Sequence, residues 1–464
     1  MKRIVIWAAL IAALLMIIAG CGGPLSTTQD ASAMLRMTSR VVLTGGITYE
    51  TGVLGPGAIY EIHVPPGWEN GRLVLYVHGY VSPYEQPGLP EDLDETVLAG
   101  LLQGGFAVAY SSFSETGWAV RDGAIRSRQL LGYFKDGYGD PGQVYLVGAS
   151  QGGLIALMLA EQNPNLFDGL LSIQGAIGGG QLQMNYLTHV RVLFDQLYGQ
   201  QLRGFAGAGD HPLAIPAQAL LAALGDGMLD ASPANVPPEL FGALERFPEV
   251  VAALVVGDPD APDPTVALAL AAMFVDGVPL FNWDLVEILD PLFWLDPSNP
   301  GPAVFLTEMV ETVATALWFN IFGTPDMLSR TNGHAMVENA DAVYSSLALQ
   351  PAEDLWLNTH VERVSAHPAG RNYLRNWYQP TGRLRLPMVT VHVARDPAVP
   401  ILHEYAFAAT AERARTSHLL VQREFSGFGH GDLRDGYGDL LINHVLAAFE
   451  DLVLWVTFGL KPES

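Results

Sequence analysis

The sequence predicts an α/β protein whose mostly parallel central sheet is flanked by helices and interrupted by a large helical cap insertion. Three observations carry this expectation. Short apolar runs alternate with helix-like stretches from 41 to 175, the same alternation returns between 387 and 456, and a serine-bearing turn joins one apolar run directly to a helix.

The chain starts with Met1-Lys2-Arg3, continues through an apolar run at 4–18 and reaches Ala19-Gly20-Cys21. A charged start, a run too short for a comfortable membrane span and small residues at its end predict a signal peptide at 1–20. The segment Ile18-Ala19-Gly20-Cys21 is similar to the lipobox of bacterial lipoproteins. That resemblance implies acylation of Cys21 and a lipid anchor in the bacterial cell envelope. Gly22 in place of an aspartate implies the outer membrane where the cell has two. The polar, small residues of 21–40 then serve as a flexible tether. Cys21 is the only cysteine, so the folded part has neither a disulfide nor a cysteine nucleophile.

Within the first core segment, 41–177, the expected strands are 58–64, 73–77, 106–111, 143–148 and 169–174. Within the second, 386–464, they are 387–393 and 419–425, followed by a closing helix at about 437–456. The intervening 178–385 has helical periodicity at 184–198, 217–224, 238–255 and 266–275, punctuated by Pro and Gly. It reads as an insertion, because removing it leaves about 236 residues, the size of one compact domain. The run 266–275 is too short to span a bilayer. Trp283, Phe293, Trp294, Trp318, Phe319, Phe322, Trp356 and Trp377 are expected mainly to fill the insertion's own interior, with a few free to line a pocket.

A formal net charge of −24 excludes nucleic acid as a partner. The three lysines, Lys2, Lys135 and Lys461, lie outside any G-x-x-x-x-G-K pattern, which excludes a Walker-type phosphate loop. The acidic stretches 136–140 and 432–439 do not fit EF-hand spacing and are expected to be solvated turns. No metal or cofactor is expected.

The chemistry centres on Gly148-Ala149-Ser150-Gln151-Gly152, which follows Val144-Tyr145-Leu146-Val147 and precedes the helical run 154–160. Small residues on both flanks let strand and helix crowd the turn, and the strained backbone at its apex exposes the Ser150 oxygen. A serine hydroxyl is a weak nucleophile, so it needs a base, a residue that orients the base, and donors for the oxyanion. The strand 73–77 runs into His78-Gly79-Tyr80, where a backbone N–H near Tyr80 is placed to join that of Gln151. Asp396 stands just past the strand 387–393, as an orienting acid should. Of twelve histidines, His430 lies in the loop expected at 425–431 directly after the last strand. His392 and His403 are closer to Asp396 in sequence and remain alternatives, one in a strand and the other in a helix-like stretch.

Together these motifs resemble the α/β-hydrolase superfamily, over about 73–175 and 386–444. The pair Gly152-Gly153 and the Asp396-Pro397-Ala398-Val399-Pro400 turn are similar to those of its esterase and prolyl-oligopeptidase-like branches, although the propeller repeats of the latter are missing. The resemblance implies Ser150 as nucleophile, Asp396 as acid, His430 as base, and Gln151 with Tyr80 or Gly79 as oxyanion donors. It implies hydrolysis of a small-molecule ester, with a serine peptidase or an inactive binding protein as alternatives.

Overall fold

The computed structural model describes residues 38–463 apart from 84, 91–92, 94, 199–250, 253–254, 256–263, 296–297 and 432–436. Cys21, the signal segment, nearly all of the tether, the helix expected at 217–224 and most of that at 238–255 lie outside these residues. One compact unit takes the described residues of Ser26–Gly180 and Arg375–Ser464, and a second takes those of Gln181–Leu374.

The first unit is built on a nine-stranded sheet. In chain order its elements are β1 (Ser39–Val42), β2 (Thr48–Leu54), β3 (Ala58–Val64), β4 (Arg72–Val77), α1 (Glu95–Gln103), β5 (Phe106–Ser111), α2 (Val120–Tyr138), β6 (Gln143–Ala149), α3 (Gln151–Gln162) and β7 (Gly169–Ile173). After the second unit come β11 (Met388–Arg395), α12 (Leu402–Ala414), β12 (Leu420–Phe428) and α13 (Tyr437–Phe458). The strand order is β1-β2-β3-β5-β4-β6-β7-β11-β12. From β5 to β12 neighbouring strands run parallel, whereas β1 to β3 form an antiparallel margin that joins β5 through β3. The inner strands are nearly continuous runs of buried Val, Leu, Ala and Tyr, as a sheet covered on both faces requires.

Strands β1 and β2 were not expected. Their signal is a pair of glycine turns, Gly45-Gly46 and Gly55-Pro56-Gly57, with all four glycines at positive φ. Glu50 of β2 is fully buried and accepts hydrogen bonds from the hydroxyls of Tyr60 (2.9 Å), Tyr133 (2.6 Å) and Tyr138 (2.7 Å), which tie this margin to α2. Strand β12 also exceeds its expected end, since Gly427 and Phe428 extend it where a loop was expected.

Helix α13 is apolar and long enough to cross a membrane by composition. One of its faces instead closes the core, with Leu441, Ala448, Phe449, Leu452 and Trp455 packed on Tyr145, Leu171, Val389 and Val421.

The second unit is not purely helical. Alongside α4 (Gly180–Leu197), α5 (Thr265–Ala271) and α8 (Gly301–Trp318), it contains a small antiparallel sheet of β8 (Met273–Val275), β9 (Val278–Pro279) and β10 (Tyr344–Ser346). The helix expected at 266–275 therefore ends early. Asp276 and Gly277 both have positive φ, so this Asp-Gly pair makes the hairpin turn between β8 and β9. Trp283 and Trp294 both pack on Phe305 of α8, with ring centroids at 5.1 and 5.8 Å. Residues 375–385, expected in the insertion, belong to the sheet unit, and Trp377 with them; the Arg121 guanidinium lies 5.5 Å from its ring.

Candidate active site

The strand order reverses around β4, which has β5 on one side and β6 on the other. In parallel sheets such a switch point opens a crevice beyond the carboxyl ends of the strands. The candidate residues follow β4, β6, β11 and β12, all at that end of the sheet.

Ser150 sits between β6 and α3 with φ 54 and ψ −122, a conformation that costs about 1–3 kcal/mol for a residue with a side chain. The glycines around it have direct steric causes. A methyl group at Gly152 would overlap the Val77 carbonyl oxygen, and one at Gly148 would overlap that of Gly152. Helix α3 can thus pack this closely on β6 and on the end of β4 only if both positions lack a side chain.

The Ser150 hydroxyl donates to His430 Nε2 at 2.8 Å, and His430 Nδ1 donates to Asp396 Oδ2 at 2.7 Å. His430 keeps 20% of its side chain exposed, whereas the Asp396 side chain has no exposure. Asp396 Oδ1 accepts from the backbone N–H groups of Ala398 (2.9 Å) and Val399 (2.8 Å), which orients the carboxylate. Burial alone would raise this carboxyl, but the facing His430 and His392 imidazoles outweigh it and hold it at about 2. It is therefore an anion throughout the neutral range.

Gln151 opens α3, so its N–H is one of the donors that a helix start leaves without an intrahelical acceptor. Gly79 runs beside Ser150, and a Cβ there would stand 3.2 Å from Ser150 Cβ. Tyr80 follows directly. His78 supports this turn by stacking on Phe113 at 3.9 Å and donating from Nδ1 to the Gly79 carbonyl at 2.8 Å.

The alternative bases lie elsewhere. His403 is fully buried in α12, where Nδ1 accepts from the Gly178 N–H at 3.0 Å. Burial, reinforced by the His392 charge, lowers it to about 3. His392 is fully buried in β11 between Asp396 and Glu404.

Sequence reasoning missed Gln174. This residue follows β7 with φ 45, and its Nε2 donates to Asp396 Oδ2 (3.1 Å) and to the Gly429 carbonyl (2.9 Å). Its Oε1 accepts from the Gly431 N–H at 2.8 Å. One side chain thereby grips the backbone on both sides of His430. The only local hint is its place at the end of a parallel strand.

Residues 108–286 match the family described as alpha/beta hydrolase fold, a stretch that contains Ser150. The curated protein named "Putative esterase NocK", from Nocardia uniformis subsp. tsuyamanensis, is 28% identical over 219 residues, which cover 42% of this chain and 61% of that protein. The chain thus matches less than two thirds of this relative's length. Among solved structures, feruloyl esterase B from Aspergillus oryzae aligns with a TM-score of 0.45 at 12% identity, covering 94% of this chain and 86% of that one. An esterase from Aspergillus oryzae aligns at 0.43 with 14% identity, covering 90% and 81%. The mainly parallel sheet with its strand-turn-helix elbow, together with the match over 108–286, gives this chain the α/β-hydrolase fold.

Proposed function

We propose that this protein is a serine hydrolase that cleaves carboxylic esters of small molecules through an acyl-enzyme. The observation that carries the reading is the hydrogen-bonded line Ser150 Oγ, His430 Nε2, His430 Nδ1, Asp396 Oδ2. Attack by Ser150 on the ester carbonyl passes its proton to His430, and Asp396 stabilises the imidazolium that forms. The tetrahedral oxyanion is received by the Gln151 N–H and by an N–H of the Gly79-Tyr80 turn. His430 then protonates the departing alcohol, and water activated by the same imidazole clears the acyl group from Ser150. The name of the curated relative, an esterase, supports the choice of ester over other acyl compounds.

Matched ester and amide substrates with the same acyl group test this choice. Amide cleavage demands better protonation of a poor leaving group, so the ester is expected to be turned over far faster. Efficient cleavage of a peptide with negligible action on esters would make the protein a serine peptidase of the same fold.

The lipobox-like segment at Cys21 supports a further element of the reading, an enzyme held in the bacterial cell envelope by an N-terminal lipid. Labelling with a palmitate analogue should mark wild type and spare Cys21→Ser. Equal labelling of the two would remove the anchor.

A further inference from the structure

The triad does not end at Asp396. His392 of β11 faces the same carboxylate oxygen as His430, with Nε2 2.8 Å from the Val399 carbonyl and 3.5 Å from Asp396 Oδ2, and Nδ1 3.2 Å from Glu404 Oε1. A carbonyl oxygen only accepts, so Nε2 carries a proton. The Glu404 carboxylate is already an acceptor elsewhere, with Oε2 taking hydrogen bonds from Thr390 Oγ1 and Gln422 Nε2, each at 2.6 Å. A proton on Nδ1 makes this contact a charge-assisted hydrogen bond, whereas a bare lone pair facing the carboxylate would repel it.

We propose that His392 is a charged positioning residue, an imidazolium fixed between Asp396 and Glu404 that holds the acid in place and offsets the negative charge His430 faces. The inference rests on the function proposed above for the role of His430. Glu404, His392, Asp396 and His430 then form an alternating row of carboxylate and imidazole that ends on Ser150. His403 adds no second cation to this row, because burial keeps it neutral. Burial alone would also push the His392 ring down, yet Asp396 and Glu404 together carry it up to about 10. The arrangement has a physical rationale. Two buried carboxylates without a cation between them would make the His430 imidazolium too stable, and a base that keeps its proton cannot accept the one from Ser150.

The test uses NMR on the full chain carrying 15N-histidine, without substrate, with the His392 and His430 signals assigned by their loss in His392→Gln and His430→Ala. Both His392 ring nitrogens should remain protonated at pH 8. In His392→Gln the His430 titration midpoint should rise by about one pH unit, the scale expected when a charge partner is removed. A residue that merely fills space would leave that midpoint unmoved. If His392→Gln does not fold, Glu404→Gln reads the same network, and the His392 midpoint should fall. A neutral His392 ring at pH 8, an unmoved His430 midpoint in folded His392→Gln, or an unmoved His392 midpoint in Glu404→Gln overturns the proposal. None of these readings needs turnover, so a chain without esterase activity would defeat the function proposed and leave this result interpretable.

Discussion

The backbone N–H of Ser150 donates to the carbonyl of Ile173 at 2.9 Å, which staples the turn at Ser150 to the turn that begins with Gln174. The Ala176 N–H returns a bond to the Ser150 carbonyl at 3.2 Å. Ser150 and Gln174 each follow the last residue of neighbouring parallel strands, and both have positive φ, 54 and 45. Two strained turns brace one another here. One presents Ser150, and the other grips the loop of His430.

Gln174→Ala should therefore impair turnover with little effect on folding. It removes one bond to Asp396 and two to the backbone around His430, and a misplacement of about 1 Å at a catalytic group costs about a hundredfold in rate. Steady-state kinetics with a small activated ester should show the loss in kcat, with KM little changed. Normal kcat in the variant would make the clamp ornamental.

His430→Ala should remove nearly all activity. Asp396→Asn should lower kcat by about 10⁴-fold, because the amide leaves His430 in the wrong tautomer. In wild type, activity should fall on the acid side through one ionisation, since His430 must have Nε2 free to accept the proton. Substantial turnover by His430→Ala would transfer the role of base to another group.

Gly152→Ala should destabilise the sheet unit by about 3 kcal/mol, the cost of forcing a methyl group against backbone in a packed turn. Urea unfolding measures this directly. An unchanged midpoint would mean that the strand and helix at the elbow have room to separate.

Stability should fall on both sides of neutrality. Asp396, held near 2 in the fold against about 4 in unfolded chains, contributes stability above that unfolded value and loses it as pH falls through 2. His403, held near 3, contributes stability that is lost as pH drops from its unfolded value of about 6.5 towards 3. His392 behaves oppositely. Raised to about 10, it contributes stability that is complete below about 6.5 and lost as pH climbs through 10. Denaturant midpoints across pH should show both slopes, and His392→Gln should flatten the alkaline one; a profile flat from 7 to 10 in wild type would contradict the assignment.

The parts of the site that were legible in the sequence are those whose signal is local. Ser150 announces itself by a strand, a turn and a helix in continuous sequence, and Asp396 and His430 each stand just beyond an apolar run. What escaped depends on distance or on a competing pattern. Gln174 meets Asp396 across 222 residues, and nothing in its own neighbourhood marks it. The hairpin at Asp276-Gly277 was hidden by the apolar run 266–275, whose continuous hydrophobicity suits helix and strand alike. His392 and Glu404 are twelve residues apart, yet they meet only because α12 folds back onto the end of β11.

The central claim, that Ser150 is an activated nucleophile, is tested most directly by a fluorophosphonate probe, with the modified residue located by mass spectrometry. Wild type should be labelled on Ser150 alone, and Ser150→Ala should take up no label and lose about a million-fold in kcat, as removal of an activated serine does elsewhere. Folded wild type that resists the probe, or undiminished ester turnover by Ser150→Ala, would contradict it.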